Sequence, residues 1–239
     1  MKSISTTLAA LAMGVITAIA GPGPVIDKSP APAPMDPCAG PISYNNIELL
    51  YARTDFDGGN IDDGNGGILR GEYGLGPNFY LTLGAEYRNT DYDVDYVIPG
   101  ALAPRGAIGG ATYSADLDQW ELHGGIGAHY SITPHIDIAG DAGVLWVHSS
   151  VDYDLPAGVA GDDSDSDSDT GWYARPHFRM KWGCLTAHIG AEYRDVYDED
   201  EWAGFASVYY QISPKWDLTV GYRHGEDTDS FTGGVRWRF

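Results

Sequence analysis

The side chains of this chain whose types and spacing could do chemistry fall into a few sets. Asp162, Asp163, Asp165, Asp167 and Asp169, interleaved with Ser164, Ser166 and Ser168, offer hard oxygen ligands of the kind Ca2+ takes. The run has neither the internal glycine nor the terminal glutamate of an EF-hand loop, so the expectation is a solvated acidic loop with loose divalent binding and no resident cofactor. His148-Ser149-Ser150 sets a base two positions from a hydroxyl, and Asp91-Tyr92-Asp93 pairs two acids. Either set needs an orienting partner before it activates water or a nucleophile, and no Asp-x-His occurs anywhere in the chain. No catalytic residue is assigned, and the chain is not expected to be an enzyme. A third set consists of opposite charges two positions apart or on neighbouring segments: Arg70, Glu72, Glu86, Arg88, Glu121, Arg175, Arg179, Glu192, Arg194, Arg223 and Arg236. Two cysteines, Cys38 and Cys184, complete the inventory.

These charges are positioned by segments whose hydrophobic period is two. Phe79, Leu81, Leu83, Ala85 and Tyr87 share one face of an extended chain, and Thr82, Gly84, Glu86 and Arg88 the other. Residues 171–182 repeat the pattern, with Trp172, Phe178, Met180 and Trp182 opposite Tyr173, Arg175, His177, Arg179 and Lys181. Such alternation predicts strands over 43–55, 66–75, 79–92, 115–130, 136–151, 171–182, 185–197, 202–212, 216–224 and 230–239. Short connections, Gly76-Pro77-Asn78, Thr133-Pro134-His135, Gly183-Cys184 and Ser213-Pro214-Lys215, alternate with long acidic ones at 56–65, 93–114, 152–170, 198–201 and 225–229. In or beside those five long connections lie 24 of the 34 acids. A soluble sandwich has no reason to segregate its connections so regularly. A transmembrane barrel has one, because its tight turns and long loops lie on opposite sides of the membrane. The fold class is therefore all-β, a single closed antiparallel transmembrane β-barrel of ten strands, with eight as the alternative. Its charged face is the lumen, because an Arg in the middle of the lipid face costs about 2–4 kcal/mol.

Thirty-four acidic residues against fourteen basic ones give a formal net charge of −20. No basic face compensates, which excludes a phosphate-tracking nucleic-acid binder. After residue 20 no apolar run is long enough for a helical span, but a transmembrane strand needs only about 9–11 residues. Residues 1–20 read as a signal peptide, with Lys2, an apolar stretch from Leu8 to Ile19, and Ala18-Ile19-Ala20 as the cleavage site. Residues 21–42, with seven prolines, read as an extended exported linker, and 43–239 as the barrel. In an exported chain, one even pair of cysteines favours a disulfide over two free thiols or a metal site. Cys38 precedes strand one and Cys184 lies in a short turn, so both fall on one side of the membrane. A bridge would hold the linker across the barrel mouth as a partial lid.

The final segment alternates Phe231, Val235, Trp237 and Phe239 with Thr232, Gly234, Arg236 and Arg238. It resembles the C-terminal strand of Gram-negative outer-membrane proteins. With the signal sequence, the Pro-containing turns and the Tyr-rich strands, residues 43–239 resemble the small OmpA-like barrel superfamily. That resemblance implies the cell outer membrane as location, outer-membrane lipid and lipopolysaccharide as surroundings, and Val235, Trp237 and Phe239 as a signal read by the barrel assembly machinery. It also implies a monomer with a structural or surface-interaction role. A narrow cation-favouring porin is the second reading. Asp91-Tyr92-Asp93 superficially resembles the paired acids of omptin-type proteases, and His148-x-Ser150 the pair of lipid A deacylases. A barrel hydrolase is the third reading.

Overall fold

The computed structural model describes Cys38 and residues 41–56, 63–97, 110–153, 164–197, 199–226 and 228–239, with backbone alone at 92–97, 110–114 and 153. The proposed signal peptide and nearly all of the proposed linker lie outside these residues. Ten strands follow one another: β1 (Asn46–Phe56), β2 (Gly64–Gly74), β3 (Phe79–Val97), β4 (Gly110–Thr133), β5 (Ile136–Tyr153), β6 (Ser164–Trp182), β7 (Leu185–Val196), β8 (Glu199–Gln211), β9 (Trp216–His224) and β10 (Thr228–Arg238). Each pairs antiparallel with its sequence neighbour, and β1 pairs with β10 from Asn46↔Arg238 to Phe56↔Thr228, closing the barrel. Closure leaves no free edge, so every strand finds backbone partners within the sheet.

The alternation sorts the faces. Leu49, Leu83, Val144, Val220 and Phe231 are exposed outward, whereas Glu48, Glu86, Glu121, Arg179, Glu192 and Arg236 are buried inside. Aromatic residues gather at two levels of the outer face. One ring contains Tyr51, Tyr87, Trp120, Trp146, Trp172, Tyr193, Trp202 and Tyr222, and the other Tyr73, Phe79, Tyr130, Trp182, Tyr210 and Trp216. Cross-strand pairs such as Tyr87–Trp120 at 4.8 Å and Tyr193–Trp202 at 5.0 Å tie the first ring together. From Phe79 to Tyr87, nine residues of tilted strand fit the roughly 25 Å apolar band of an outer-membrane barrel.

The four tight turns lie on one side, with the start of β1 and the end of β10. Gly76 (φ 117°) and Gly183 (φ 55°) adopt the left-handed conformation that two of them require. On the other side the strands run longer than the sequence pattern predicts. β3, β4, β5 and β6 have 19, 24, 18 and 19 residues, against 9 in β9 and 11 in β10. They stand beyond the aromatic ring as a tall wall on one flank. The expected loop at 152–170 is therefore corrected: Ser164–Thr170 belongs to β6, and Asp165, Asp167 and Asp169 pair in register with Val151, Ser149 and Val147 of β5. Charge density suggested a solvated loop, but the Asp-Ser alternation has period two and β5 offers a long partner edge. The acidic stretch at 198–201 is likewise mostly strand, with Glu201 inside β8. At the other end Ser43–Asn45 is not part of β1, because the chain there turns into the barrel mouth.

Candidate functional site: the lumen, its stopper and its outer wall

Small residues on the inner face make room for large ones. A Cβ on Gly127 would lie 2.1 Å from Cζ of Tyr80, and one on Gly84 would lie 2.3 Å from the His123 ring. Glycine is required at both because a side chain from the neighbouring strand lies flat across the backbone. Tyr80, with none of its surface exposed, reaches over Gly127 and donates to Asp141 at 3.2 Å.

Ion pairs fill the rest of the lumen. Arg179, only 1 % exposed, grips Glu72 with two hydrogen bonds of 2.6 and 2.9 Å from β6 to β2. Arg70 holds Glu48 at 2.8 Å, and Arg236 holds Asp217 at 2.6 Å while lying 3.7 Å over the Tyr209 ring. Higher up, Arg194 joins Glu121 and Glu192 at 2.6 Å each, and Arg223 reaches Glu192 at 3.4 Å and Glu201 at 2.9 Å. Arg175 bridges Asp141 at 2.9 Å and Glu192 at 3.7 Å, and Arg88 pairs with Glu86. Every charge in the set predicted from spacing thus has an opposite partner inside. Glu48, Asn46 and Tyr44 join the network without belonging to the set that spacing predicts. For Glu48 the signal was present, as it shares the inward phase of β1 with Leu50 and Ala52. For Tyr44 no periodicity exists to find it. Arg53 also departs from expectation: it lies on the outward face, just past Tyr51, and pairs with Asp55 and Asp63 at the rim.

At the turn-bearing end the mouth is stopped from within. Cys38 is bonded to Cys184 of the β6–β7 turn, with Cα atoms 4.6 Å apart. Residues 41–45 lead into β1, and Tyr44 among them is buried. Its ring stacks on His129 at 3.9 Å, its hydroxyl donates to Asp137 at 2.9 Å, and the Arg179 guanidinium lies 4.3 Å from its centre. Burial, outweighing the pull of Arg179, raises the Tyr44 phenol above its ordinary range, so it remains the proton donor to Asp137. Among the described residues, the lumen above the stopper holds cavities of about 40 and about 70 Å³, and a larger one of about 450 Å³ lies at the mouth between Pro41, Ile42, His129 and Asp137.

On the wall, Asp165, Asp167 and Asp169 continue the inward phase of Tyr173 and Arg175. Asp169 accepts the backbone N–H of Tyr197, a residue held at φ 57°. Among the described residues no group of His, Cys, Asp or Glu is arranged to hold a metal ion, and Asp162 and Asp163 lie outside those residues. His148 faces outward and contacts Ser168 of the neighbouring strand at 2.8 Å, with Trp146 stacked beside it and Ser150 two positions further along its own strand. Asp91 is exposed opposite Asp116 in β4, and the Asp93 side chain lies outside the description. Among the described residues no acid orients His148 and no group orients Asp91. Val235 and Phe239 are exposed on the lipid face and Trp237 half-exposed, with Trp237 and Phe239 rings 5.2 Å apart.

A closed antiparallel barrel with an apolar outer band, two aromatic rings and a charged interior is an outer-membrane β-barrel. Residues 23–239 match the family described as TonB dependent receptor-like, beta-barrel, and the chain belongs to that family. No curated protein matches it by sequence. Among solved structures it is similar to the KdgM porin in complex with disordered oligogalacturonate, at 10% identity over 80% of this chain and 99% of the porin, TM-score 0.41. It is also similar to Ail, the attachment invasion locus protein of Yersinia pestis, at 15% identity over 81% and 96%, TM-score 0.37. The outer membrane protein OprG from Pseudomonas aeruginosa is similar at 13% identity over 82% and 96%, TM-score 0.39.

Proposed function

We propose that this is a barrel of the cell outer membrane that acts at the surface, with an ion-paired interior as a rigid filling and the acidic wall as the face it presents outward. The observation that carries the reading is the filled lumen: a stopper at one mouth, ion pairs above it, and cavities of about 40 and 70 Å³, room for a few waters. A general diffusion pore needs a continuous aqueous cross-section. The kinship to small OmpA-like barrels, surroundings of lipid and lipopolysaccharide, recognition of Val235, Trp237 and Phe239 by the barrel assembly machinery, and a monomeric state belong to the same proposal. No catalytic role is included, because His148 faces Ser168 on the outer surface and no acid among the described residues orients it.

A second reading, narrow cation-favouring permeation, is favoured by one observation: Asp165, Asp167 and Asp169 line the inward phase of the wall and raise the local cation concentration. Single-channel recording on the purified full chain separates the two. Silence supports the surface role, discrete cation-selective openings support the porin, and turnover of lipid A or peptides would overturn both.

A further inference from the structure

One side of the tall wall is β6, and the upper edge of that strand has no neighbouring strand among the described residues. β7 accompanies β6 from Trp182↔Leu185 up to Trp172↔Asp195. It then turns away at Tyr197, held at φ 57°, whose N–H is taken by the Asp169 side chain. Ser164–Thr170 therefore pairs with β5 alone. Which groups face the open side follows from parity. Lys181 donates its backbone N–H to the His135 carbonyl, and an antiparallel strand directs alternate residues to its two sides. The β5–β6 register runs without a shift from Met180 to Ser164. Asp165, Asp167 and Asp169 therefore bond to β5, whereas Ser164, Ser166, Ser168 and Thr170 point their backbone groups to the open side. Pro176, which has no N–H to give, has the same outward parity and lies where the β6–β7 ladder is interrupted.

The open edge is capped by its own side chains. Asp165 accepts the N–H of Ser166, and Asp167 that of Ser168, each at 2.8 Å. An aspartate before each of these serines blunts an edge that is otherwise a template for strand addition. Segments 164–172 and 195–200, which frame the edge, contain no Lys or Arg. A second copy of β6 would lay aspartates beside aspartates and is repelled. We propose that this edge is the docking site of an extended peptide segment with Lys or Arg at every second position. The inference rests on the surface-acting reading and names the partner of the acidic wall. Residues of an added antiparallel strand opposite Asp165, Asp167 and Asp169 fall in non-hydrogen-bonded pairs, where Cα atoms come within about 4.5 Å and side chains are closest. Cations there draw the carboxylates off the Ser166 and Ser168 N–H groups, which then donate to the incoming carbonyls, while the Ser166 and Ser168 carbonyls accept the incoming N–H groups. A segment without alternate cations has to uncap the edge with nothing to neutralise the aspartates, and is rejected on that ground.

The experiment is fluorescence anisotropy of two short labelled peptides of equal charge on the purified full chain in a neutral detergent. One peptide alternates lysine with valine, the other lysine with proline. Heat-shifted gel mobility verifies that each sample is a folded barrel. The expected result is saturable binding of the valine peptide and about tenfold weaker binding of the proline peptide, which matches the charge but brings no N–H to the serine carbonyls. Ser166→Pro deletes one outward N–H while keeping every aspartate and every bond to β5, and should weaken the valine peptide by about tenfold. The combined variant Asp165→Asn, Asp167→Asn, Asp169→Asn should weaken it to a similar degree, about tenfold, through loss of the cross-strand charge pairs. Equal binding of the two peptides, or valine-peptide binding unchanged by Ser166→Pro, means charge attraction alone and overturns the edge. Binding unchanged in the triple variant overturns the need for alternate cations. No binding to a folded barrel overturns the proposal and leaves the surface-acting reading standing, since that reading fails separately, on conductance in single-channel recording.

Discussion

Arg179 and Glu72, 107 residues apart in sequence, meet in a two-point ion pair that spans the lumen from β6 to β2. Asn46 adds a third hydrogen bond to Glu72 at 3.0 Å, and Arg179 Nε donates to His177. Because both partners are out of bulk water, removing one leaves the other uncompensated, which costs about 3–5 kcal/mol, whereas replacing both by apolar groups of similar volume is far milder. Arg179→Met and Glu72→Met are each expected to lower unfolding stability by that amount in urea titrations in detergent. The double variant should recover most of the loss. A double variant as unstable as the sum of the singles would show that the pair does not act as a unit.

Tyr80 depends on what is missing beneath it. Its ring covers Gly127 so closely that an alanine methyl would sit 2.1 Å from Cζ. Gly127→Ala must push Tyr80 off Asp141 and off the neighbouring Arg179, and is expected to cost about 1–3 kcal/mol as overpacking. Adding Tyr80→Ala to Gly127→Ala removes the clash, so the double variant should lose less than the two single losses added together. Strict additivity in thermal unfolding would place the ring elsewhere.

The positions of such pairs divide what the sequence shows from what it does not. The inward phase of Glu86, Arg175, Arg194 and Arg236 is legible because a strand has period two and a single misplaced charge on the lipid face is costly. Ten strands and the side on which each turn lies follow from the same pattern. Which Arg meets which Glu is not legible, since the contacts cross the barrel: Arg194 of β7 reaches Glu121 of β4, 73 residues away. Tyr44 lies outside any repeat, and its place is fixed by a covalent bond six residues upstream together with three partners from β4, β5 and β6. The Asp165–Asp169 stretch misleads because composition argues for a loop while its alternation, read alone, argues for a strand.

The lipid face gives a depth-dependent test. Leu83 is 66 % exposed and lies midway between Phe79 and Tyr87 of the two aromatic rings, so Leu83→Arg places a charge near the midplane. The expected loss is about 2–4 kcal/mol, measured as folding into phospholipid vesicles at rising urea. Arg53 lies past Tyr51 at the rim, beside Asp55 and Asp63. Arg53→Leu should change stability by no more than about 1 kcal/mol, as exposed ion pairs are weak. Equal effects at the two sites would move the membrane boundary away from the aromatic ring.

The acidic wall has its own electrostatic consequence. Asp165, Asp167 and Asp169 occupy every second position of β6, so neighbours repeat at about 6.6 Å along one face. Asp165 and Asp167 also accept the N–H groups of Ser166 and Ser168, and Asp169 that of Tyr197. Calcium needs six to eight oxygens at roughly 2.3–2.6 Å, a shell that carboxylates strung in a line and already engaged do not supply. Binding is therefore expected to be diffuse and in the millimolar class, acting by relieving like-charge repulsion. Calorimetry should show no saturable heat at micromolar calcium. Millimolar calcium should raise the melting temperature slightly, and the triple variant Asp165→Asn, Asp167→Asn, Asp169→Asn should abolish that rise. A saturable micromolar isotherm lost in the triple variant would instead mean that the wall folds around the ion.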